Sequence, residues 1–374
     1  MNYIEITDQI LFQICKITDE HNIRAYVVGG YIRDKLYGKE VKDIDIVVIG
    51  RGVDFAQLVA NSFNNSTIIT YPKFGTALVQ IGEYKIEFVG ARKESYRKDS
   101  RKPMVEDGTL DDDLLRRDFT INTIAASINK DEFGKIIDIF NGIDDLNKRV
   151  IRTPRDPKIT FDDDPLRIMR AMRFASQYSF TVQSDVLEAA QEMAERLEIV
   201  SAERVSDEFL KIMSSPKPSI GLRLMQDTGV MKIVLPEVAN LAGVEQIQEY
   251  HHKDVFHHTM LVLDNLCTVS ENLWLRMAAL LHDIGKPKTK FFKDDIGWTF
   301  HSHDEVGMRM VKNIFKRMRF PFEYIKFVEN LVRLHLRPMS LVDEGVTDSA
   351  VRRLMFEAGE EIDDLMLLCR ADIT

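Results

Sequence analysis

The segment Val27-Val28-Gly29-Gly30-Tyr31-Ile32-Arg33-Asp34, followed by Asp43-Ile44-Asp45-Ile46-Val47-Val48-Ile49, constrains this chain more than any other. An apolar run ends in a glycine pair. A basic–acidic turn follows, and two carboxylates one residue apart open a second apolar run. In a β-strand residues i and i+2 point to the same face, so Asp43 and Asp45 project together while Ile44 and Ile46 face a core. Two carboxylates that close do not both stay ionised cheaply unless a cation lies between them. Hard divalent ions such as Mg2+ use one or two carboxylates plus substrate phosphates. Gly29 and Gly30 ahead of a helix let backbone N–H groups approach a phosphate closely. A D-x-D pair alone fits a solvated strand end or turn better. With the glycine pair and Arg33-Asp34 beside it, the pattern fits nucleotidyl transfer.

The chain has 374 residues, enough for two or three domains, and a 45% hydrophobic content that supplies real cores. Residues 3–22 read as an amphipathic helix. Strand-like runs follow at 25–28, 44–49, 66–71, 77–82 and 85–90, with helical patterns at 31–37 and 54–63. Residues 92–115 carry Arg92, Lys93, Arg97, Lys98, Arg101 and Lys102, then Asp111-Asp112-Asp113, and read as a mobile polar loop. From about residue 144 the pattern is almost wholly helical. The expected fold class is therefore multidomain, α/β plus all-α, with a head over 1–140, a helical neck over 141–235 and a helical body over 236–374. Cys15, Cys267 and Cys369 are few and far apart, which suggests a reduced cytoplasm and not a disulfide framework. The N-terminus carries no apolar signal region, and no apolar run approaches the ~20 residues of a membrane span. A net charge of −9 argues against a chain coated by nucleic acid but leaves room for a local basic groove.

A third carboxylate belongs on a neighbouring strand, and Glu87 in Tyr84-Lys85-Ile86-Glu87-Phe88-Val89 is the candidate. Three acids would hold two Mg2+ ions, one at a 3′-hydroxyl and one at a triphosphate. In Arg116-Arg117-Asp118-Phe119-Thr120-Ile121-Asn122, Asp118 and Asn122 are four apart and expected on one helix face. Arg117 suits a phosphate, and Asp118 a ribose hydroxyl. In Asp163-Asp164-Pro165-Leu166-Arg167, Asp164 is either a plain helix N-cap or half of an acceptor–donor pair with Arg167. Cytosine and adenine both offer a donor beside an acceptor in one order, uracil and guanine in the reverse order. One Asp/Arg pair could thus accept C and A, a mismatch costing about 1–3 kcal/mol per unpaired buried group.

Gly29-Gly30-x-x-Arg33-Asp34 with Asp43-x-Asp45 resembles the active-site motif of the polymerase-β nucleotidyltransferase superfamily. Together with Arg116-Arg117-Asp118-x-x-x-Asn122, Asp163-Asp164-x-x-Arg167 and Glu203-Arg204-x-x-x-Glu208, the ordered set resembles class II tRNA nucleotidyltransferases and bacterial poly(A) polymerases over about residues 20–235. The resemblance implies a polymerase-β-like head and a helical neck in which Asp164 and Arg167 act as the template for the incoming base, supported by Glu203 and Arg204. It implies tRNA, CTP and ATP as partners. Asp163 stands where the family more often has Glu. Tyr71-Pro72-Lys73-Phe74-Gly75-Thr76 lacks the basic pair that bacterial poly(A) polymerases tend to carry there, which favours tRNA CCA addition, with poly(A) polymerase and CC-only or A-only addition as the alternatives. Segment 92–115 would move to reset the pocket from C to A.

Eight of the nine histidines lie after residue 250. Leu281-His282-Asp283-Ile284-Gly285-Lys286 is preceded by His257-His258 and followed by His303, His335 and Asp372. Imidazole with carboxylate suits a transition metal such as Mn2+ or Ni2+. The set resembles the HD superfamily of metal-dependent phosphohydrolases, with His258, His282, Asp283 and Asp372 matching its ligands, His303 and His335 as second-metal ligands and His301 a weaker candidate. The rival readings are a tRNA-docking body with an idle site, and an HD phosphohydrolase whose head merely binds RNA. His251 and His252 are expected to be structural or surface residues.

Overall fold

The computed structural model describes residues 2–72, 75–97, 100–248, 251–295, 297–341 and 347–373. Lys73 and Phe74, on which the contrast with poly(A) polymerases turned, lie outside them, as does Lys98 of the basic segment. The chain divides into two compact units, one of residues 1–164 with 181–186 and the other of 165–180 with 187–374. An α/β head followed by a helical body is the expected fold class, here with the division falling between Asp164 and Pro165.

The first unit runs α1 (Gln9–Glu20), β1 (Ala25–Val28), α2 (Gly30–Leu36), β2 (Asp43–Val48), α3 (Gly52–Ser62), β3 (Ser66–Tyr71), β4 (Thr76–Ile81), β5 (Tyr84–Gly90), β6 (Arg92–Arg97), β7 (Ser100–Asp107), α4 (Leu110–Leu115), β8 (Ala125–Ser127), β9 (Ile136–Ile137), α5 (Gly142–Lys148), β10 (Val150–Ile151) and α6 (Pro157–Asp163). Among the described residues seven strands form one sheet in the order β3-β4-β5-β2-β1-β8-β9. Only β2 and β5 run parallel, and α3, β3 and β4 lie between them in the chain. Strand alternation sorts the side chains cleanly. Val27, Ile44, Ile46, Ile86 and Phe88 are buried on one face with Leu11 and Ile14 of α1 and Phe55 and Val59 of α3. Val28, Val47 and Ala125 face the other way, against Leu114 of α4. Asp43 and Asp45 share that second face, beyond the edge of its small apolar cluster.

Two sequence expectations fail here. The first helix begins at Gln9, not at residue 3. Residues 92–115 are not an irregular loop. They form an antiparallel hairpin of β6 and β7, with Arg92 paired to Asp107 and Glu94 to Val105, and then α4. Charged strands give no apolar alternation, so the pattern that marks a half-buried strand is missing. The short α4 is announced instead by its cap: the Thr109 hydroxyl accepts from the Asp112 N–H while the Asp112 carboxylate accepts from the Thr109 N–H.

The second unit contains α7 (Leu166–Tyr178) and, after β11 (Thr181–Val182), α8 (Ser184–Glu192), α9 (Ala202–Met213), α10 (Pro218–Asp227), α11 (Val230–Val234) and α12 (Pro236–Ala239). The hairpin β12 (Glu245–Gln248) and β13 (His251–Asp254) leads to α13 (Val255–Cys267), α14 (Leu273–Leu281) and α15 (Lys286–Thr289). A second hairpin, β14 (Phe291–Lys293) and β15 (Gly297–Thr299), precedes α16 (His303–Met318), α17 (Ile325–Leu334), α18 (Asp348–Ala358) and α19 (Ile362–Ile373). Among the described residues no helix is long and apolar enough to cross a membrane. The three cysteines are free thiols.

Candidate functional site

The glycine pair sits at the junction of β1 and α2. Gly29 has φ +66°, and a Cβ there would lie 2.7 Å from Nη1 of Arg117, so the position admits neither the side chain nor the backbone of another residue comfortably. Tyr31, fully buried, pins the first turn of α2 by donating its phenol to Asp8 at 2.5 Å. Arg33 is buried as well. Its Nε and Nη2 donate to the two oxygens of Asp34 at 3.0 and 2.8 Å, and its Nη1 to Oδ1 of Asn122 at 2.5 Å. Asn122 in turn donates its amide to Oδ1 of Asp118 at 2.9 Å.

The pairing of Asp118 with Asn122 thus exists, but not on a helix face. Helix α4 ends at Leu115, and Asn122 closes a single 3-10 turn over Thr120–Asn122. The contact comes from the chain folding back after Asp118, whose Oδ1 also takes the Phe119 N–H at 2.9 Å. Four-residue spacing is common to helices and to such a turn, and the sequence alone does not separate them. Asp118 and Asn122 are both buried.

The carboxylates lie one strand apart. Asp45 of β2 is in register with Glu87 of the parallel β5, and Asp43 with Lys85. Asp45 is half-buried, Asp43 and Glu87 exposed. Loss of water around the Asp45 carboxyl, with the nearby Asp43 charge, pushes its pKa above the usual carboxylate range, against the pull of Arg117 and Arg33. The sheet surface shields the Glu87 carboxyl partly from water and, with the Asp45 charge, raises it too. Oxygen-only donors whose charges repel one another fit a hard divalent cation. The head's three carboxylates are not drawn into one tight cluster, however. Three ligand atoms within 4.8 Å of one another occur elsewhere among the described residues.

One buried residue escaped the sequence reading as a site component. Asp113, with no exposed surface, accepts from Nε and Nη2 of Arg117 at 3.3 Å and from Nε of Arg116 at 3.0 Å. It therefore holds Arg117 against the glycine pair. Its spacing of three and four from the arginines was the available signal.

At the start of the second unit, α7 begins after Pro165. Asp164 closes α6 with extended backbone and is not the N-cap of α7, so the plain capping reading does not apply. Asp164 and Arg167 are both half-buried. Asp163 pairs with Arg155. Glu203 is exposed, its nearest cation being Arg319 at 3.7 Å, and Arg204 is also exposed. Glu208 of α9, the last residue of the Glu203-Arg204-x-x-x-Glu208 motif, is buried and accepts from the half-buried Arg173 of α7 at 3.0 Å.

The histidines after residue 250 converge. His258, His282 and Asp372 form one cluster, and Asp283, His303 and His335 a second. Nε2 of His258 lies 2.8 Å from Asp372, and Nε2 of His282 lies 3.5 Å from Asp372 and 3.2 Å from Asp283. Nε2 of His303 is 3.3 Å from Asp283 and 3.4 Å from Nε2 of His335. The other ring nitrogen of each of three histidines faces a backbone carbonyl: His282 that of Ala279, His303 that of Phe300 and His335 that of Val332, at 2.7 to 2.8 Å. In a neutral imidazole such a bond leaves Nε2 bare, the form that ligates metal. Nε2 of His282 and Oδ1 of Asp283 are buried without a hydrogen-bond partner. Burial alone would lower the His282 pKa, but the Asp283 and Asp372 carboxylates outweigh it and hold it up, at about 10. His335, desolvated and beside His282, falls to about 4. His301 is exposed and belongs to neither cluster. Imidazole and carboxylate atoms in these positions fit a divalent metal.

The mixed sheet and the helical histidine unit define a nucleotidyltransferase head joined to an HD-type body. Three family models match the chain in order: Poly A polymerase head domain over residues 25–152, Probable RNA and SrmB-binding site of polymerase A over 179–241, and HD domain over 255–374. A multifunctional CCA protein of Neisseria meningitidis serogroup A / serotype 4A is 34% identical over 321 residues, 84% of this chain and 73% of that protein. One from Vibrio parahaemolyticus serotype O3:K6 is 30% identical over 371 residues, 94% and 85% of the two chains. A solved tRNA nucleotidyltransferase, complexed with a primer tRNA and an incoming ATP analog, is similar with a TM-score of 0.70 at 25% identity, covering 95% of this chain and 94% of that chain. The chain belongs to the family of CCA-adding tRNA nucleotidyltransferases and bacterial poly(A) polymerases that carry a C-terminal HD domain.

Proposed function

We propose that this chain adds C and A nucleotides from CTP and ATP to the 3′ end of tRNA without a nucleic-acid template. Family membership makes it a nucleotidyltransferase, and the named activities of its relatives, CCA proteins and a primer-bound tRNA nucleotidyltransferase, support the substrate. The observation that carries the site assignment is the Asp45–Glu87 register beside a glycine pair whose first member, Gly29, only glycine can occupy without strain.

In this reading residues 1–140 are the catalytic head, 141–235 the neck and 236–374 the HD body. Asp43, Asp45 and Glu87 would hold Mg2+, which supplies charge neutralisation at the triphosphate and at the attacking 3′-hydroxyl. The chain's own groups position the reactants. Arg117, steadied by Asp113, presents its guanidinium at Gly29 where a phosphate would meet the start of α2. Arg33, tied to Asp34 and Asn122, is a positioning residue, and Asp118, which accepts from Asn122, would accept from a ribose hydroxyl and so select NTP. Asp164 accepts from the exocyclic amine of C or A while Arg167 donates to the adjacent ring nitrogen. Catalysis of this kind is largely alignment and charge stabilisation. The test is a competition among all four NTPs on one tRNA primer: Arg167→Ala should lose the preference for C and A, and an unchanged preference would remove the base-template role.

A second reading concerns the histidine clusters. One fully buried triad, one partly buried triad and the two partnerless ligand atoms support a metal-dependent phosphohydrolase in the body, with Mn2+ or Ni2+ as the fitting ions. Metal analysis of the purified protein, with hydrolysis of p-nitrophenyl phosphate before and after chelation, tests it.

A further inference from the structure

The hairpin β14–β15 leaves three large rings in water: Phe291 is 63%, Phe292 51% and Trp298 37% exposed. Cross-strand register puts Phe292 opposite Trp298, their centroids 5.0 Å apart, so two aromatic rings share one face of a two-stranded ribbon. The Lys290 ammonium stands 4.2 Å from the Trp298 ring centroid on that face. Lys288 and Lys293 beside them are exposed. A short ribbon gains nothing from rings held out of its core, and exposed aromatic patches mark recognition surfaces. Aromatic faces interleaved with cations, on a chain whose net charge is −9, suit a nucleobase with its phosphates and not an acidic peptide, which has no use for the rings.

The ribbon is also tied to the histidine clusters at both ends. Lys286, just before it, donates to Asp283 at 2.7 Å and lies 5.7 Å from the Phe300 ring. Phe300, just after it, gives its carbonyl to His303. Trp298 is thus two residues of strand, about 7 Å, from the residue that orients a metal-ligating histidine. That is the span of one nucleotide.

We propose that Phe292, Trp298 and Lys290 form a stacking platform that receives a base of single-stranded RNA and presents its phosphoester to the HD clusters. The inference rests on the phosphohydrolase reading for its chemistry, but the platform itself is tested by binding. Trp274, the other tryptophan, is buried among Phe315 and Tyr324, so quenching by added ligand reports on Trp298. In the full chain the trinucleotide CCA with a 3′-terminal phosphate should quench tryptophan fluorescence saturably. Ribose 5-phosphate, which has no base, should not. Trp298→Phe should retain trinucleotide affinity by a label-free measurement, whereas Phe292→Ala with Trp298→Ala should weaken it tenfold or more. Unchanged affinity in that double variant, or equal quenching by ribose 5-phosphate or an oligoglutamate peptide, overturns the platform. If the trinucleotide binds as described but no phosphoester is hydrolysed by the metal-loaded protein, the phosphohydrolase reading fails and the platform stands.

Discussion

Replacing Asp45 by Asn removes a carboxyl whose pKa is raised by desolvation and by the Asp43 charge, and whose own charge raises Glu87 across β2 and β5. A carboxyl with a raised folded-state pKa costs the folded chain stability at neutral pH, where it is ionised, and the cost vanishes as pH falls through that pKa. Asp45→Asn should therefore raise the melting temperature of the metal-free protein at pH 7, and the gain should shrink toward pH 4. The same variant should lower nucleotide addition at least about 100-fold, the scale of losing a charge-stabilising group. Thermal melts at two pH values and a primer-extension assay check both parts. Gly29→Ala should be damaging for a different reason. The new Cβ meets Arg117, and the positive φ adds strain of about 1–3 kcal/mol. Reduced NTP affinity with a retained helical circular-dichroism signal is the expected outcome. At this scale the sequence was a good guide wherever alternation decides direction. Asp43, Asp45 and Glu87 fall on one face because period-2 geometry leaves no other choice. Asp113 was harder to see, because burial of a charge depends on what α4 packs against, which no local pattern encodes.

Among the elements, the strands at 66–71 and 84–90 were legible because each half-buried strand alternates, and the buried strand at 25–28 because its short apolar run ends at Gly29-Gly30. Hairpin β6–β7 was not, since its charged residues leave no apolar period. Shortening that hairpin to a tight turn between Lys93 and Glu106 should leave the seven-stranded sheet folded, because neither strand belongs to it. If the segment resets the pocket, the shortened enzyme should still add C but lose A addition; equal loss of both would assign it a role in tRNA or nucleotide binding alone. Helices α7 and α9 give a second prediction. Glu208→Ala removes a buried carboxylate that pairs with Arg173 at 3.0 Å and Lys211 at 3.2 Å, and one-sided removals from buried pairs cost up to about 3–5 kcal/mol. A clear drop in denaturation midpoint, larger than that of Glu203→Ala at its exposed position, is expected.

For the molecule as a whole, two candidate donor sets of different chemistry occupy different compact units. Oxygen-only donors sit in the first and imidazoles with carboxylates in the second. His282→Ala with Asp283→Ala should therefore remove bound transition metal while nucleotide addition persists; loss of addition in a folded double variant would show the units to be chemically coupled. What the sequence did not disclose at this scale is where the units part, since helical pattern continues from the last helix of the first unit into the second. The most direct test of the account is extension of tRNA transcripts ending before CCA, after the first C and after CC, each offered the four NTPs singly and together. The account predicts CMP on the first two, AMP on the third, and a stop after CCA. A lengthening A tail, or incorporation of UMP or GMP at a comparable rate, would contradict it.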